Sequence, residues 1–194
     1  MRRWETVDWL TILATVAGGA AALLGSVLAH TLGSREERKR ANSSERRDSY
    51  VAYLVALDAA FGAIRRLADP DVTPEDLRRQ ASAAFGDAGV YRSRERLLLA
   101  GNPSVVSPAE AALKRVGELR DAVVDGAKRR TPAYHDAFHP YNEALWRLRM
   151  SIRKDLGSEV LSPADLDKET WDSQASCDFC RARDQAVAIP AQAR

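Results

Sequence analysis

The stretch YVAYLVALDAAFGAIRRLA, residues 50–68, indicates the fold class. Its apolar side chains recur at alternating steps of four and three residues, at Tyr50, Leu54, Leu57, Phe61, Ile64 and Ala68. These steps return to the same face of a helix with 3.6 residues per turn, so the stretch predicts an amphipathic helix with one apolar stripe. Because an apolar stripe requires a partner surface, further helices are expected.

Three later segments repeat this spacing. Their stripes are Leu77, Ala81, Ala84, Ala88, Tyr91 and Leu98, then Ala109, Ala112, Val116, Leu119 and Val123, and then Tyr134, Phe138, Tyr141, Leu145, Leu148 and Ile152. No segment shows the sustained alternation of apolar and polar residues that is typical of a strand. The sequence therefore predicts an all-α fold.

Capping residues and prolines divide the stripes into separate helices. The pairs Thr73-Pro74, Ser107-Pro108 and Thr131-Pro132 each place a capping hydroxyl before a proline at the first helical position. The predicted helices span about 34–69, 74–100, 107–127 and 132–156, and Pro140 is expected to kink the last helix or to mark its start. Because the connections are short, residues 34–157 are predicted to form an antiparallel four-helix bundle with coiled-coil-like spacing.

Residues 9–33, WLTILATVAGGAAALLGSVLAHTLG, are the longest apolar stretch of the chain. These 25 residues include no Asp, Glu, Lys or Arg, and roughly 20 helical residues cross a hydrocarbon core about 30 Å thick. The stretch therefore predicts a single transmembrane helix. Since no proline occurs before Pro70, this helix is expected to run on into the first bundle helix.

The charges beside the apolar stretch predict its orientation. Six Lys and Arg residues lie between Arg35 and Arg47, against two before the stretch, and basic residues favour the cytoplasmic side. Residues 1–8 are therefore expected outside the cytoplasmic membrane, and residues 34–157 in the cytosol. An alternative remains, because Val27-Leu28-Ala29 fits the cleavage site of an export signal. An exported bundle would be an extracytoplasmic sensory or binding domain.

Two sets of membrane-associated candidates follow from this interpretation. Small residues allow helices to approach closely in lipid, and the candidate face for a homodimer consists of Gly18, Ala22, Gly25 and Ala29. Basic residues at the membrane surface attract anionic headgroups, and the candidates for this contact are Arg35, Arg38, Lys39 and Arg40.

Several phrases of the chain resemble a known group of proteins. They are WLTILATVAGGAAALLGSVLAH from residue 9, REERKRANSSERRDSYVAYLVALDAA from residue 35, and MSIRKDLG from residue 150. Over roughly residues 7–157 the chain is similar to uncharacterised actinobacterial single-pass membrane proteins with an Arg-rich juxtamembrane segment and an alpha-helical region. The resemblance implies an anchored helical protein, and it implies no catalytic residues.

His135 and His139 are the weak candidates for metal ligation, with Glu143 one turn further on. Histidines at positions i and i+4 share one helix face, as in zinc proteases. The HExxH motif of those enzymes is absent, because Asp136 follows His135. The pair is therefore expected to be solvated beside the apolar stripe, and no metal site is predicted.

Cys177 and Cys180 form a lone CxxC motif. A structural zinc site usually combines two such pairs, or a Cys pair with a His pair after it, and neither follows Cys180 in this chain. The cysteines are therefore expected to be reduced thiols in a mobile tail. Two tails in a dimer would be the alternative source of four thiolates.

The C-terminal segment 158–194 carries seven acidic and four basic side chains, and is expected to be a polar, acidic and largely flexible tail that docks a partner. The chain has no phosphate-binding glycine loop, no nucleophile elbow and no nucleic-acid-binding motif. We therefore expect a membrane-anchored interaction or scaffold protein without catalytic activity or cofactor. Its expected partners are the lipid bilayer, a second copy and another protein, and they include neither nucleic acid nor a small-molecule substrate.

Overall fold

A computed structural model of the chain describes residues 37, 40–69 and 73–188. Several sequence predictions lie outside these residues: the segment 1–8, the transmembrane helix 9–33 with Gly18, Ala22, Gly25 and Ala29, and the headgroup contacts of Arg35, Arg38 and Lys39. Arg40 is helical and exposed. The chain divides into two compact units, Met1–Ser44 and Glu45–Arg194, and the fold and the site described below belong to the second.

Within the described residues, none of the helices combines the length and the apolar character needed to span a membrane.

The second unit is built from helices. Over the described residues α1 covers 40–67, of which 45–67 belong to this unit. The later helices are α2 at Pro74–Asp87, α3 at Val90–Ala100, α4 at Pro103–Val124, α5 at Pro132–Asp155 and α6 at Asp178–Ala188. A short 3₁₀ turn lies at Ala164–Leu166. No strand occurs among residues 40–69 and 73–188. The predicted all-α fold is therefore confirmed.

The segment predicted as one helix over 74–100 is divided in two by a glycine. Gly89 has a φ of 70°, a left-handed conformation that residues with a Cβ rarely adopt. The break changes the register of the second half, so that Tyr91 and Leu98, predicted in the stripe, are 56% and 39% exposed. Val90 and Leu97 are buried in their place.

Two other helix starts are compared with their predictions. α4 begins at Pro103, earlier than the predicted residue 107, because the Asn102 side chain accepts a hydrogen bond from the Ser104 N–H at 3.0 Å. α5 begins at Pro132 as predicted, and Pro140 lies inside this helix and does not mark its start.

The stripes of α1, α4 and α5 meet in one hydrophobic core. The predicted stripe residues that are buried there are Tyr50, Leu57, Ile64, Ala68, Ala109, Ala112, Val116, Leu119, Val123, Tyr134, Tyr141, Leu145, Leu148 and Ile152. The Phe61 ring contacts Phe138 and Tyr141 with centroid distances of 5.8 and 5.1 Å. Burial of these side chains supplies most of the driving force for folding.

A buried tyrosine links three helices. The Tyr50 hydroxyl donates a hydrogen bond to the Asp155 carboxylate at 2.8 Å and accepts one from the Asn102 backbone N–H at 3.0 Å. It therefore ties α1 to the end of α5 and to the residue that precedes α4. Burial is the largest cause of the raised pKa of Tyr50, so the hydroxyl keeps its proton and remains a donor at neutral pH.

We expect Tyr50→Phe to lower the free energy of unfolding by about 1–3 kcal/mol, because two hydrogen bonds are lost. One is to the Asp155 carboxylate, which among the described residues keeps only its 3.6 Å contact with Arg46, and the other is from the half-buried Asn102 N–H. Denaturant unfolding of the full chain, followed by helical circular dichroism, measures this change. Tyr91→Phe is the matched control, since Tyr91 is 56% exposed. Equal stabilities of the two variants would contradict the role assigned to the Tyr50 hydroxyl.

Candidate metal centre

The first half of the centre is a histidine pair on α5. His135 and His139 are four residues apart, and this spacing places both imidazoles on one face of the helix. The apolar stripe of α5 occupies the neighbouring face, and its residues Tyr134, Tyr141, Leu145, Leu148 and Ile152 are buried in the core. Core packing of α5 therefore fixes the direction in which both histidines point. His139 is only 5% exposed, and His135 is partly buried.

The second half of the centre comes from the C-terminal segment, which we define as residues 158–188. This segment returns along α5, and its Trp171 ring stacks on Trp146 at a centroid distance of 4.5 Å. Cys177 directly precedes α6, and Cys180 lies in the first turn of that helix. Arg183 of α6 pairs with Asp136 of α5 at 2.9 Å. These contacts bring the CxxC motif to the histidine pair.

The side chains of His135, His139, Cys177 and Cys180 meet at one point. One ligand atom from each lies within 4.8 Å of the other three. The two imidazole nitrogens are 3.4 Å apart, the Cys177 Sγ is 3.5 Å from His135 Nδ1, and the Cys180 Sγ is 3.3 Å from His139 Nε2. With zinc–nitrogen bonds of ~2.0–2.1 Å and zinc–sulfur bonds of ~2.3 Å, a tetrahedral site has N···N edges of about 3.3 Å and N···S edges of about 3.5 Å. These three distances are close to those edges.

The outer nitrogen of each imidazole is also engaged. His135 Nε2 lies 3.1 Å from the Arg129 carbonyl oxygen, which only accepts, so this nitrogen donates its proton there. His139 Nδ1 lies 2.7 Å from the Ser173 Oγ. Metal-bound histidines typically donate their second ring N–H in this way, which fixes the tautomer and directs a lone pair at the metal. Ser173 therefore holds His139 as Arg129 holds His135.

The inner nitrogens of the two imidazoles face each other. With His135 donating from Nε2, its Nδ1 carries a lone pair that faces His139 Nε2 at 3.4 Å. When His139 donates from Nδ1 to Ser173, a second lone pair points to the same place. The arrangement is therefore suited to a bound cation.

Burial prepares the ligands in opposite ways. The pKa of His139 is lowered, first by burial and then by His135, so its imidazole is neutral and has a free lone pair at neutral pH. Burial and the neighbouring Cys177 raise the pKa of Cys180 to about 11, so this thiol is protonated at neutral pH when no cation is bound. A metal binds as it displaces that proton, and its affinity therefore rises with pH.

The loop before α5 and a ring of the C-terminal segment support the centre from outside. Arg129 of that loop pairs with Asp69 at the end of α1, with an N···O distance of 3.1 Å, and this contact steadies the carbonyl that accepts from His135. The Phe179 ring stacks on His135 at a centroid distance of 4.3 Å and an interplanar angle of 10°. The imidazole is therefore held on its face as well as at its edge.

Little apart from this centre holds the C-terminal segment in place. Cys180 is the single buried residue between Ser158 and Ala186. The Arg183–Asp136 pair contributes little because solvent screens it, and the stack of Trp146 on Trp171 contributes about 0.5–1.5 kcal/mol. A structural zinc site contributes on the order of 10 kcal/mol, so a bound metal would dominate the attachment of this segment.

This geometry corrects the sequence prediction for the histidine pair. The expected solvated pair is wrong for His139, which is buried where the C-terminal segment contacts it. The tail predicted to be largely flexible contains α6, and Cys180 of this helix is buried; the flexibility itself stays a prediction. Glu143 takes no part in the cluster, because it pairs with Arg147 in the next turn of α5.

The cysteines were missed as ligands for a definite reason. A search for a His pair after the Cys pair cannot find this site, because here the His-x3-His motif precedes the Cys-x2-Cys motif by about forty residues. Both spacings are those of structural zinc ligands. A His-x3-His motif and a Cys-x2-Cys motif in one chain, in either order, indicate a four-ligand zinc site, and this signal is present in the sequence.

Comparison with known proteins gives no matching family model, no matching curated protein and no matching solved structure.

We expect Ser173→Ala to weaken zinc binding by about 10- to 100-fold, because His139 loses the partner that orients its imidazole. Competition with a chromogenic chelator measures the affinity of the full chain. Ser158→Ala serves as the control, since this exposed serine lies in the same segment but away from the ligands. An unchanged affinity in Ser173→Ala would contradict the supporting role of Ser173.

Proposed function

We propose that the chain is a membrane-anchored, non-catalytic helical interaction protein whose C-terminal segment is fastened to the bundle by one structural zinc ion. The observation that carries this proposal is the meeting of four ligand atoms, two from α5 and two from the C-terminal segment, within 4.8 Å of one another. This arrangement joins two parts of the chain that share little other buried surface.

The ligand set favours zinc over other common ions. Two thiolates and two imidazoles in a tetrahedral arrangement are typical of zinc, whereas magnesium and calcium require oxygen ligands. Catalytic zinc sites use three protein ligands and keep one position open for water or substrate. A centre with four protein ligands is closed, and this supports a structural role and a protein without catalytic activity.

The zinc ion would make one binding surface from two parts of the chain. With the segment fastened, the outer face of α5 and the acidic side chains of residues 158–188 are presented together. Trp146 is covered by Trp171 on one side, and Lys168 lies 5.0 Å from its ring. We infer that a protein partner recognises this composite surface, which requires the metal for its shape.

The proposed anchor is the apolar stretch 9–33, running into an antiparallel four-helix bundle. In this proposal residues 1–8 lie outside, the bundle lies in the cytosol, and residues such as Arg40 contact anionic headgroups. Zinc-bound thiolates persist in reducing compartments, which supports the cytosolic orientation over export. Gly18, Ala22, Gly25 and Ala29 remain the proposed homodimer face.

Purification of the full chain from membranes in detergent, followed by metal analysis, tests the proposal. We expect recovery in the membrane fraction with about one zinc ion per chain. His139→Ala should lose the zinc, and trypsin should then cleave faster after Lys168 and Arg181. Helical circular dichroism of the bundle should change little.

Glu143→Gln is the matched control, because Glu143 lies on α5 but outside the cluster. It should retain both the zinc and the protection of the segment. A metal-free wild-type chain that remains protected against trypsin would refute the zinc attachment. Recovery of the chain in the soluble fraction without detergent would refute the anchor, independently of the metal result.

A further inference from the structure

The ligands of the centre are divided between two parts of the chain. His135 and His139 belong to α5, whereas Cys177 and Cys180 both belong to the C-terminal segment. A disulfide between the two cysteines would therefore remain within the segment, and would remove every sulfur ligand at once. The link between the segment and α5 exists only while both sulfurs are reduced.

The two cysteines differ in access and are close enough to react with each other. Cys177 is partly exposed, whereas Cys180 is only 1% exposed. Their sulfur atoms lie within 4.8 Å of each other, so rotation about the side-chain bonds brings them together. A small oxidant would reach Cys177 first.

We propose that the centre is a peroxide-operated clasp, in which oxidation of Cys177 and Cys180 to a disulfide releases the zinc ion and frees the C-terminal segment from α5. This inference rests on the zinc site of the proposed function. It adds a regulation of that site by hydroperoxides, which are small enough to reach a partly exposed sulfur.

The reaction balances with hydrogen peroxide as the oxidant. The Cys177 thiolate attacks one peroxide oxygen, the O–O bond breaks, and the leaving hydroxide takes a proton to form water, which leaves a sulfenic acid. The Cys180 thiolate then attacks that sulfur, the S–O bond breaks, and a second hydroxide is protonated to water. Two electrons pass from the sulfurs to the peroxide, and the zinc ion leaves without changing its oxidation state. A dithiol reductant and zinc reverse the change.

The structural consequence follows from the poor burial of the segment. Without the zinc ion, the remaining contacts with α5 include the Arg183–Asp136 pair, the Trp171–Trp146 stack and the approach of Lys168 to Trp146. They also include the hydrogen bonds of Arg153 with Ser158 and Glu159, and the contacts of Ser173 and Phe179 with the histidines. Since Cys180 is the single buried residue between Ser158 and Ala186, these contacts do not hold the segment. Its release exposes Trp146 and His139, and so abolishes the composite surface.

Treatment of the zinc-loaded full chain in detergent with hydrogen peroxide tests the clasp. Zinc release is followed with a chromogenic chelator, the disulfide by mass spectrometry, and release of the segment by trypsin cleavage after Lys168 and Arg181. We expect all three to proceed together, with about one zinc released for each disulfide formed, and a dithiol with added zinc should restore protection. Disulfide formation with an unchanged rate of cleavage would overturn the proposal, and so would retention of zinc after the thiols are oxidised.

Cys177→His is the matched variant, because it keeps four ligands but cannot form the disulfide. It should bind zinc and keep both the metal and the protected segment at peroxide concentrations that open the wild-type clasp. Equal peroxide-driven release from both proteins would overturn the proposal. If this variant binds no zinc, a second comparison uses the wild-type chain alone. Its zinc is removed by a chelator without peroxide, and the rate of trypsin cleavage of this metal-free chain is the reference. Peroxide-treated wild-type chain should be cleaved at the same rate, and slower cleavage overturns the proposal.

Different results would contradict the zinc site and its opening by peroxide. If the untreated wild-type chain contains no zinc and binds none when it is added, the proposed function fails. If zinc is bound and holds the segment, but peroxide does not release either one, only the clasp fails.

Discussion

The C-terminal segment buries a single side chain between Ser158 and Ala186, that of Cys180, so its place on α5 depends on what the two cysteines contact. They contact two imidazoles whose facing nitrogens lie 3.4 Å apart. Hydrophobic burial holds the other helices, but between Asp178 and Ala186 of α6 it covers only Cys180 fully. In the proposed function, a cation shared by four ligands supplies the attachment.

α5 serves the core and the centre at the same time. Its stripe from Tyr134 to Ile152 is buried against α1 and α4, while His135 and His139 leave the helix on a neighbouring face. Because the core fixes the rotation of α5, it also fixes the direction of both imidazoles. The Arg129 carbonyl that receives the His135 proton is held in turn by the pairing of Arg129 with Asp69 at the end of α1. The bundle therefore preorganises the two histidine ligands, whereas the two cysteine ligands belong to the C-terminal segment.

The sequence predicted what depends on local spacing. The stripes of α1, α4 and α5 and the cap at Thr73 were found because helical periodicity and capping act over a few residues. The break at Gly89 was missed, because glycine weakens a helix only slightly and its left-handed conformation is decided by the surrounding fold. The resulting change of register exposed Tyr91, which periodicity alone had placed in the core.

The metal centre could be predicted only in part, since its halves lie about forty residues apart in the chain. His135 and His139 were recognised by their spacing, but their partners depend on the course of the segment that returns along α5. No local pattern records that course. Read together, the two ligand pairs make a complete four-ligand set, and this is stronger evidence than either pair alone.

X-ray absorption at the zinc edge of the full chain, purified in detergent, tests the central claim most directly. The account predicts a first shell of about two nitrogen atoms at ~2.0–2.1 Å and about two sulfur atoms at ~2.3 Å. A first shell of oxygen and nitrogen atoms without sulfur would contradict it, because the zinc would then lie away from Cys177 and Cys180 and could not fasten the C-terminal segment to α5.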